Sequence, residues 1–165
     1  MPITLPKNIK IANQRVELRG KLWPDVAAEQ LWNRKTKDGY TSIPRTMPLI
    51  LSIMDSLSTG KPLSGTYLEL WCRAFDEMMV DLSNHQDLAF ASGFGGQRAK
   101  QTWTQRIQGL ADLGFIKLAD GSSGPLSHAL ILNPYLVVKS LKASIPNDRY
   151  NALLARANAI GASDL

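Results

Sequence analysis

From Thr46 onward the apolar positions recur at helical intervals. Leu49, Ile50, Ile53, Met54 and Leu57 share one helical face, so the sequence predicts a helix that Thr46 caps and whose first turn accepts Pro48. STGKP, residues 58–62, ends it, because Gly60 suits the C-terminal turn and Pro62 cannot continue a helix. Ser64 opens a second helix, in which Leu68, Trp71, Cys72 and Phe75 fall at i, i+3, i+4 and i+7. MMVDL, residues 78–82, is short and apolar behind two acids, and predicts a brief strand. Ser83 or Asn84 caps a third helix that runs to about Ser92. The break Gly93-Phe94-Gly95-Gly96 follows, and a fourth helix extends from Gln97 to about Leu113, where Gly114 stops it. Phe115 to Leu118 and Ala129 to Leu132 read as two strands around the turn ADGSSGPLSH. Asn133 caps a further helix with Pro134 at its first position, and Pro146 starts a last one that reaches about Ile160.

Residues 1–46 are less regular. Pro2, Pro6, Pro24 and Pro44 interrupt them, and IANQRVELRGKLW, residues 11–23, reads as a short strand or an extended basic arm. The organisation expected is therefore a basic N-terminal arm or irregular region over 1–46, a central domain over 47–145 and a C-terminal amphipathic helix over 146–165. Leu153, Leu154, Ala157 and Ile160 give that last helix one apolar stripe without an evident internal target. It is expected to pack on a second copy, as a homodimer, or on the N-terminal region. Within the central domain Trp103, Ile107, Leu110, Leu68, Trp71 and Phe75 are expected to share one core.

Composition narrows the class. Hydrophobic residues make up 44% and charged residues 20%, which suits a globular chain with a core and excludes a disordered one. The apolar stretch from Leu49 to Met54 is far shorter than the roughly 20 residues of a membrane span, and the N-terminus carries no long apolar segment of a secretory signal. No membrane association is expected. Cys72 is the single cysteine, so no internal disulfide forms, and the chain fits a reducing, cytoplasmic setting. The net charge of +5 favours an anionic partner. Residues 1–40 hold eight Lys/Arg against four Asp/Glu, whereas 41–165 hold eleven against ten. Within the latter, residues 97–118 carry Arg98, Lys100, Arg106 and Lys117 against Asp112 alone.

The long helix has an unusual polar face. On a wheel of about 100° per residue, Ala99, Ile107 and Leu110 fall close to Trp103 and form the buried stripe. Arg98, Gln101, Gln105, Gln108 and Asp112 point the opposite way. Gln97 and Thr104 lie on one flank, Thr102 on the other, and Lys100 and Arg106 sit at the shoulders with stems over the core and charges reaching outward. Ordinary solvated helices mix Lys with Glu, because opposite charges at i,i+4 support each other. Here no acid precedes Asp112.

From residue 64 to 132 the expected order is helix, strand, helix, helix, strand, strand. With LADLGFI closing the long helix and a Gly-rich hairpin after it, that order resembles the winged helix-turn-helix family. The fold class expected is mainly α with a small β wing, a winged helix-turn-helix core with extra flanking helices. The GFGG break is longer than the family's usual turn. The resemblance implies that the N-terminal half of the long helix enters the major groove of double-stranded DNA. There Arg pairs with guanine O6 and N7, Gln pairs with adenine N6 and N7, and Thr reaches a base edge or a thymine methyl. Gln97, Arg98, Lys100, Gln101, Thr104, Gln105, Arg106, Gln108 and Lys117 are the candidate DNA contacts. The tip DGSSGPLS holds no Lys or Arg, so the wing is expected to offer only backbone and hydroxyl contacts, or none. Lys7, Lys10, Arg15, Arg19, Lys21, Arg34, Lys35 and Lys37 of the arm are expected to compensate. The implied function is sequence-dependent DNA binding by a transcriptional regulator or a replication protein of a bacterium or mobile element. A non-catalytic protein–protein module built on the same helix is the alternative.

No catalytic constellation emerges, and the chain is expected not to be an enzyme and to need no cofactor. His85 and His128 have no Cys or acid partner at metal-ligand spacing, so no metal site is expected. Cys72 reads as a small core residue beside Trp71. GFGGQRAK lacks the Gly-Lys-Ser/Thr ending of a phosphate loop and follows a helix rather than a strand.

Overall fold

The structure, a computed structural model, describes residues 6–162, 164 and 165; Pro2 of the expected arm lies outside the described residues. The chain divides into two compact units, Met1–Tyr40 and Thr41–Leu165.

In the first unit Lys7–Leu22 forms α1, where the sequence suggested a strand or an extended arm. No proline falls between Pro6, at the N-terminal capping position, and Pro24. Arg19 and Lys21 in the last turn oppose the negative end of the helix dipole, and Lys21 pairs with Glu17 one turn back at 2.9 Å. The periodicity was hidden because α1 carries two apolar rows. Ile9 and Val16 form one, Ile11, Leu18 and Leu22 the other, and Arg15 and Arg19 lie between them. No residue of α1 is buried.

The second unit is mainly helical with a small antiparallel sheet. Its first helix, α2 (Met47–Ser56), buries Met47, Ile50, Ile53 and Met54. Thr46 stands at the expected capping position, but its hydroxyl makes no cap; it lies 2.6 Å from the Tyr135 hydroxyl instead. The Asp55 carboxylate near the end of α2 accepts from the Leu63 and Ser64 amides at 2.8 and 2.9 Å, and so launches α3 (Ser64–Arg73).

The inward face of α3 differs from the expected one. Leu63, Thr66, Tyr67, Leu70 and Ala74 are buried, Leu68 and Trp71 are half-buried, Cys72 is exposed and Phe75 is 78% exposed. The helix offers two overlapping apolar sets, and packing against α2 and the later helices selects the one holding Tyr67, whose ring meets Phe115 edge-on at 5.7 Å. Trp71 stays at the rim, its Nε1 donating to the Ser42 carbonyl at 2.7 Å. That bond holds the irregular segment before α2 within the second unit, which begins at Thr41.

Strand β1 (Met79–Asp81) and α4 (His85–Ala91) follow, the latter capped as expected by the Asn84 side chain, which accepts from the Asp87 amide at 3.1 Å. Next come α5 (Ala99–Leu113), β2 (Ile116–Gly121) and β3 (Gly124–Ile131). The sheet order is β1-β3-β2, all antiparallel, with Val80 and Leu118 both opposite Ala129. The strands run on through most of the expected ADGSSGPLSH turn. Gly121 pairs with Gly124, and the buried Ser127 hydroxyl donates to the Gly124 carbonyl while accepting from the Ser123 amide, so the tip closes over Ser122 and Ser123.

Asn133 and Pro134 open α6 (Pro134–Ser140) as expected, with the Asn133 side chain accepting from the Tyr135 amide. The last helix, α7 (Asn147–Ile160), lies against α2 and buries Tyr150, Leu153 and Ala157 there; Arg149 donates to the Ser52 hydroxyl. The stripe expected to seek a second copy is thus largely occupied within the unit, with Leu154 half-buried and only Ile160 exposed. The expected C-terminal helix is present as α7, Asn147–Ile160, and belongs to the second unit. Among the described residues no helix is long and apolar enough to cross a membrane.

Candidate nucleic-acid interface

The helix α5 is fixed by its inner face. Trp103, Ile107 and Leu110 are fully buried. Gly114 takes φ +90° after the last turn, and the Phe115 amide bonds back to the Leu110 carbonyl at 3.0 Å, a left-handed C-terminal motif that swings Phe115 into the core. With the inner face anchored, the outer face follows from the helical period.

That outer face is as the wheel anticipated for Gln101, Gln105, Gln108 and Asp112, all exposed. Lys100 is exposed as well. The helix starts two residues later than expected: Gln97 and Arg98 belong to the preceding turn, and Arg98 occupies the capping position with its side chain free of any cap. Both are exposed, at the end of α5 where backbone amides and the dipole are positive. Three candidates are otherwise engaged. The Thr104 hydroxyl donates to the Lys100 carbonyl at 2.8 Å, and the Gln108 amide donates to the Asp112 carboxylate at 2.9 Å. Arg106 is half-buried, with Cζ 5.6 Å from the centre of the Phe94 ring and Nε sealed without a hydrogen-bond partner. The guanidinium thus lies beside the interhelical turn, with only its Nε sealed from water. Lys117 is exposed but lies on β2 opposite Leu130, off the helix face.

The GFGG break is an ordered turn. Gly93, at φ +96°, ends α4; its amide bonds to the Phe90 carbonyl and the Phe94 amide to the Ala89 carbonyl, both at 3.0 Å. These are the paired bonds of a Schellman motif. Gly96 then takes φ +80° just before α5. The sequence alone assigns no role to Phe94 or His85. His85 lies ring-to-ring with Trp103 at 5.1 Å and links α4 to the Leu126 carbonyl of β3 at 2.8 Å. A lone Phe between glycines and a lone His carry no signal of their partners. Phe90 of α4, which no sequence pattern marks, is 76% exposed.

The hairpin beyond α5 adds no cation at its tip and exposes Asp120. Near its base the backbone amide and hydroxyl of Ser83, helped by His128, hold the Asp81 carboxyl below its usual range. Among the described residues no three His, Cys, Asp or Glu side chains converge as metal ligands would. In comparisons with known proteins, no family model, no curated protein and no solved structure matches the chain.

Proposed function

We propose that α3, β1, α4, α5, β2 and β3 constitute a winged helix-turn-helix and that the protein binds double-stranded DNA in a sequence-dependent manner, with α5 in the major groove. One observation carries this reading. The exposed face of α5 and its leading turn present Gln97, Arg98, Lys100, Gln101 and Gln105 on the second helix of a helix-turn-helix pair, with no acid before Asp112. The major groove, about 12 Å wide, admits a helix, and Arg and Gln are the side chains that match guanine and adenine edges in pairs. Arg98 and Gln101 read bases; Lys100 adds phosphate affinity. The cation-free tip with its exposed Asp120 does not grip phosphate. A transcriptional regulator and a replication protein of a mobile element would use these same parts.

The test is fluorescence anisotropy on mixed-sequence duplexes, and on a duplex selected by the protein from a random pool, at low and moderate salt. Binding weakens steeply with salt. Arg98→Ala and Gln101→Ala flatten the difference between selected and random duplexes, each by about 1–3 kcal/mol, whereas Lys100→Ala weakens both alike and makes the salt slope shallower by about one unit. Absence of binding at low salt removes the proposal. The exposed Phe90 of α4 favours a second reading, in which the same helical pair docks another protein. That association would be much less sensitive to salt.

A further inference from the structure

We infer that Arg106 is a positioning residue: its guanidinium latches the Phe94 ring, and this latch, rather than a phosphate contact, is its contribution to DNA recognition. The inference rests on the DNA-binding reading of α5. The interhelical turn holds three glycines in four residues. Glycine has the largest conformational freedom to lose, so such a turn does not by itself set the angle between α4 and α5. The Schellman bonds define the chain only as far as Phe94. Beyond it, Gly95 and Gly96 lead to Gln97 and Arg98 without a side chain to anchor them.

Arg106 supplies the missing restraint. It lies two turns into α5, a helix already fixed by Trp103 and Ile107, and its Cζ sits 5.6 Å from the Phe94 ring centre. A guanidinium over an aromatic face is attracted by the ring's quadrupole, and the planar group stacks where an ammonium does not. The Nε is buried without a partner, so the inner edge of the guanidinium is held against the protein beside the ring. The latch therefore joins the middle of α5 to the turn that carries Gln97 and Arg98, and controls where those two side chains meet the bases.

The experiment compares the full-length parent with Arg106→Lys, Arg106→Gln, Phe94→Leu and the Arg106→Gln/Phe94→Leu double variant. Binding to the selected duplex and to a scrambled one is followed across a salt series, and amide exchange at residues 93–98 is measured without DNA. The result expected is that Arg106→Lys, which keeps the charge, and Phe94→Leu, which leaves α5 untouched, each lose preference for the selected duplex. The loss should match one good base contact, roughly 5- to 150-fold. Scrambled-duplex affinity and the salt slope stay at the parent's values, amides 93–98 exchange faster, and the double variant loses no more than either single one. A purely structural role would lower binding to both duplexes through unfolding. The inference is overturned if Arg106→Gln weakens both duplexes equally and flattens the slope by about 0.9, the signature of one lost phosphate contact. It is equally overturned if Phe94→Leu leaves preference and exchange unchanged. Should the parent bind no duplex, the DNA reading fails instead, and unchanged exchange at 93–98 in Arg106→Lys and Phe94→Leu would then refute the latch separately.

Discussion

The imidazole of His85 lies against the indole of Trp103, ring centres 5.1 Å apart and 33° from parallel, while His85 Nε2 meets the Leu126 carbonyl at 2.8 Å. This cluster thus joins α4, α5 and β3, the three elements around the candidate interface. Trp103 is its buried member, at 0% exposure, and its indole Nε1 has no hydrogen-bond partner. What it contributes is volume and ring contact. Trp103→Ala should lower stability by about 3–5 kcal/mol, the range for truncating a buried large aromatic. Trp103→Phe forfeits no hydrogen bond and should lose much less. Urea unfolding monitored by far-UV circular dichroism checks both, and an unchanged midpoint for the alanine variant would refute the packing described.

Two buried tyrosines should respond oppositely to removal of the hydroxyl. Tyr135 and Thr46 share a buried 2.6 Å hydrogen bond, so Tyr135→Phe leaves the Thr46 hydroxyl unpaired and should cost about 1–3 kcal/mol. The Tyr67 hydroxyl is buried with no partner, so Tyr67→Phe should be neutral or stabilising. Differential scanning calorimetry of the two variants decides the matter, and equal shifts would count against it.

Burial also pushes the Tyr67 pKa up from its ordinary value, because the phenolate is excluded from water. The sign follows from linkage. A group whose pKa is raised on folding contributes stability that is full below its unfolded pKa, about 10, and declines as pH rises above it. Unfolding free energy should therefore fall between about pH 10 and 11, and Tyr67→Phe should make that fall shallower. Parallel denaturant titrations at pH 8, 10 and 11 would show it; identical slopes with pH for parent and variant would contradict the buried placement.

The face of α3 offers a sharper comparison. Leu70 is fully buried whereas Phe75, the larger residue, is 78% exposed. Leu70→Ala should cost about 2–5 kcal/mol, while Phe75→Ser, on the surface, should stay within about 0.5 kcal/mol of the parent. Reversal of that order in a thermal melt would restore the stripe that sequence periodicity favours.

What the sequence determined by itself is local. Asn84, Asn133 and Pro134 mark helix starts and Gly114 a helix stop because capping bonds and backbone conformation involve only a few neighbouring residues. The outward set Gln101, Gln105 and Gln108 was legible because one clear stripe, Trp103, Ile107 and Leu110, sets the phase of α5. Where two apolar sets compete on one helix the phase is not local. On α3 the choice of Tyr67 and Leu70 over Phe75 was made by the packing of α2 and α5, and on α1 two rows separated by arginines left no stripe to read. The destination of α7 on α2 and the turning of Arg106 toward Phe94 were likewise decided only in three dimensions. A long side chain at a helix shoulder reaches either solvent or a neighbouring ring, and the neighbour exists only once the chain has folded.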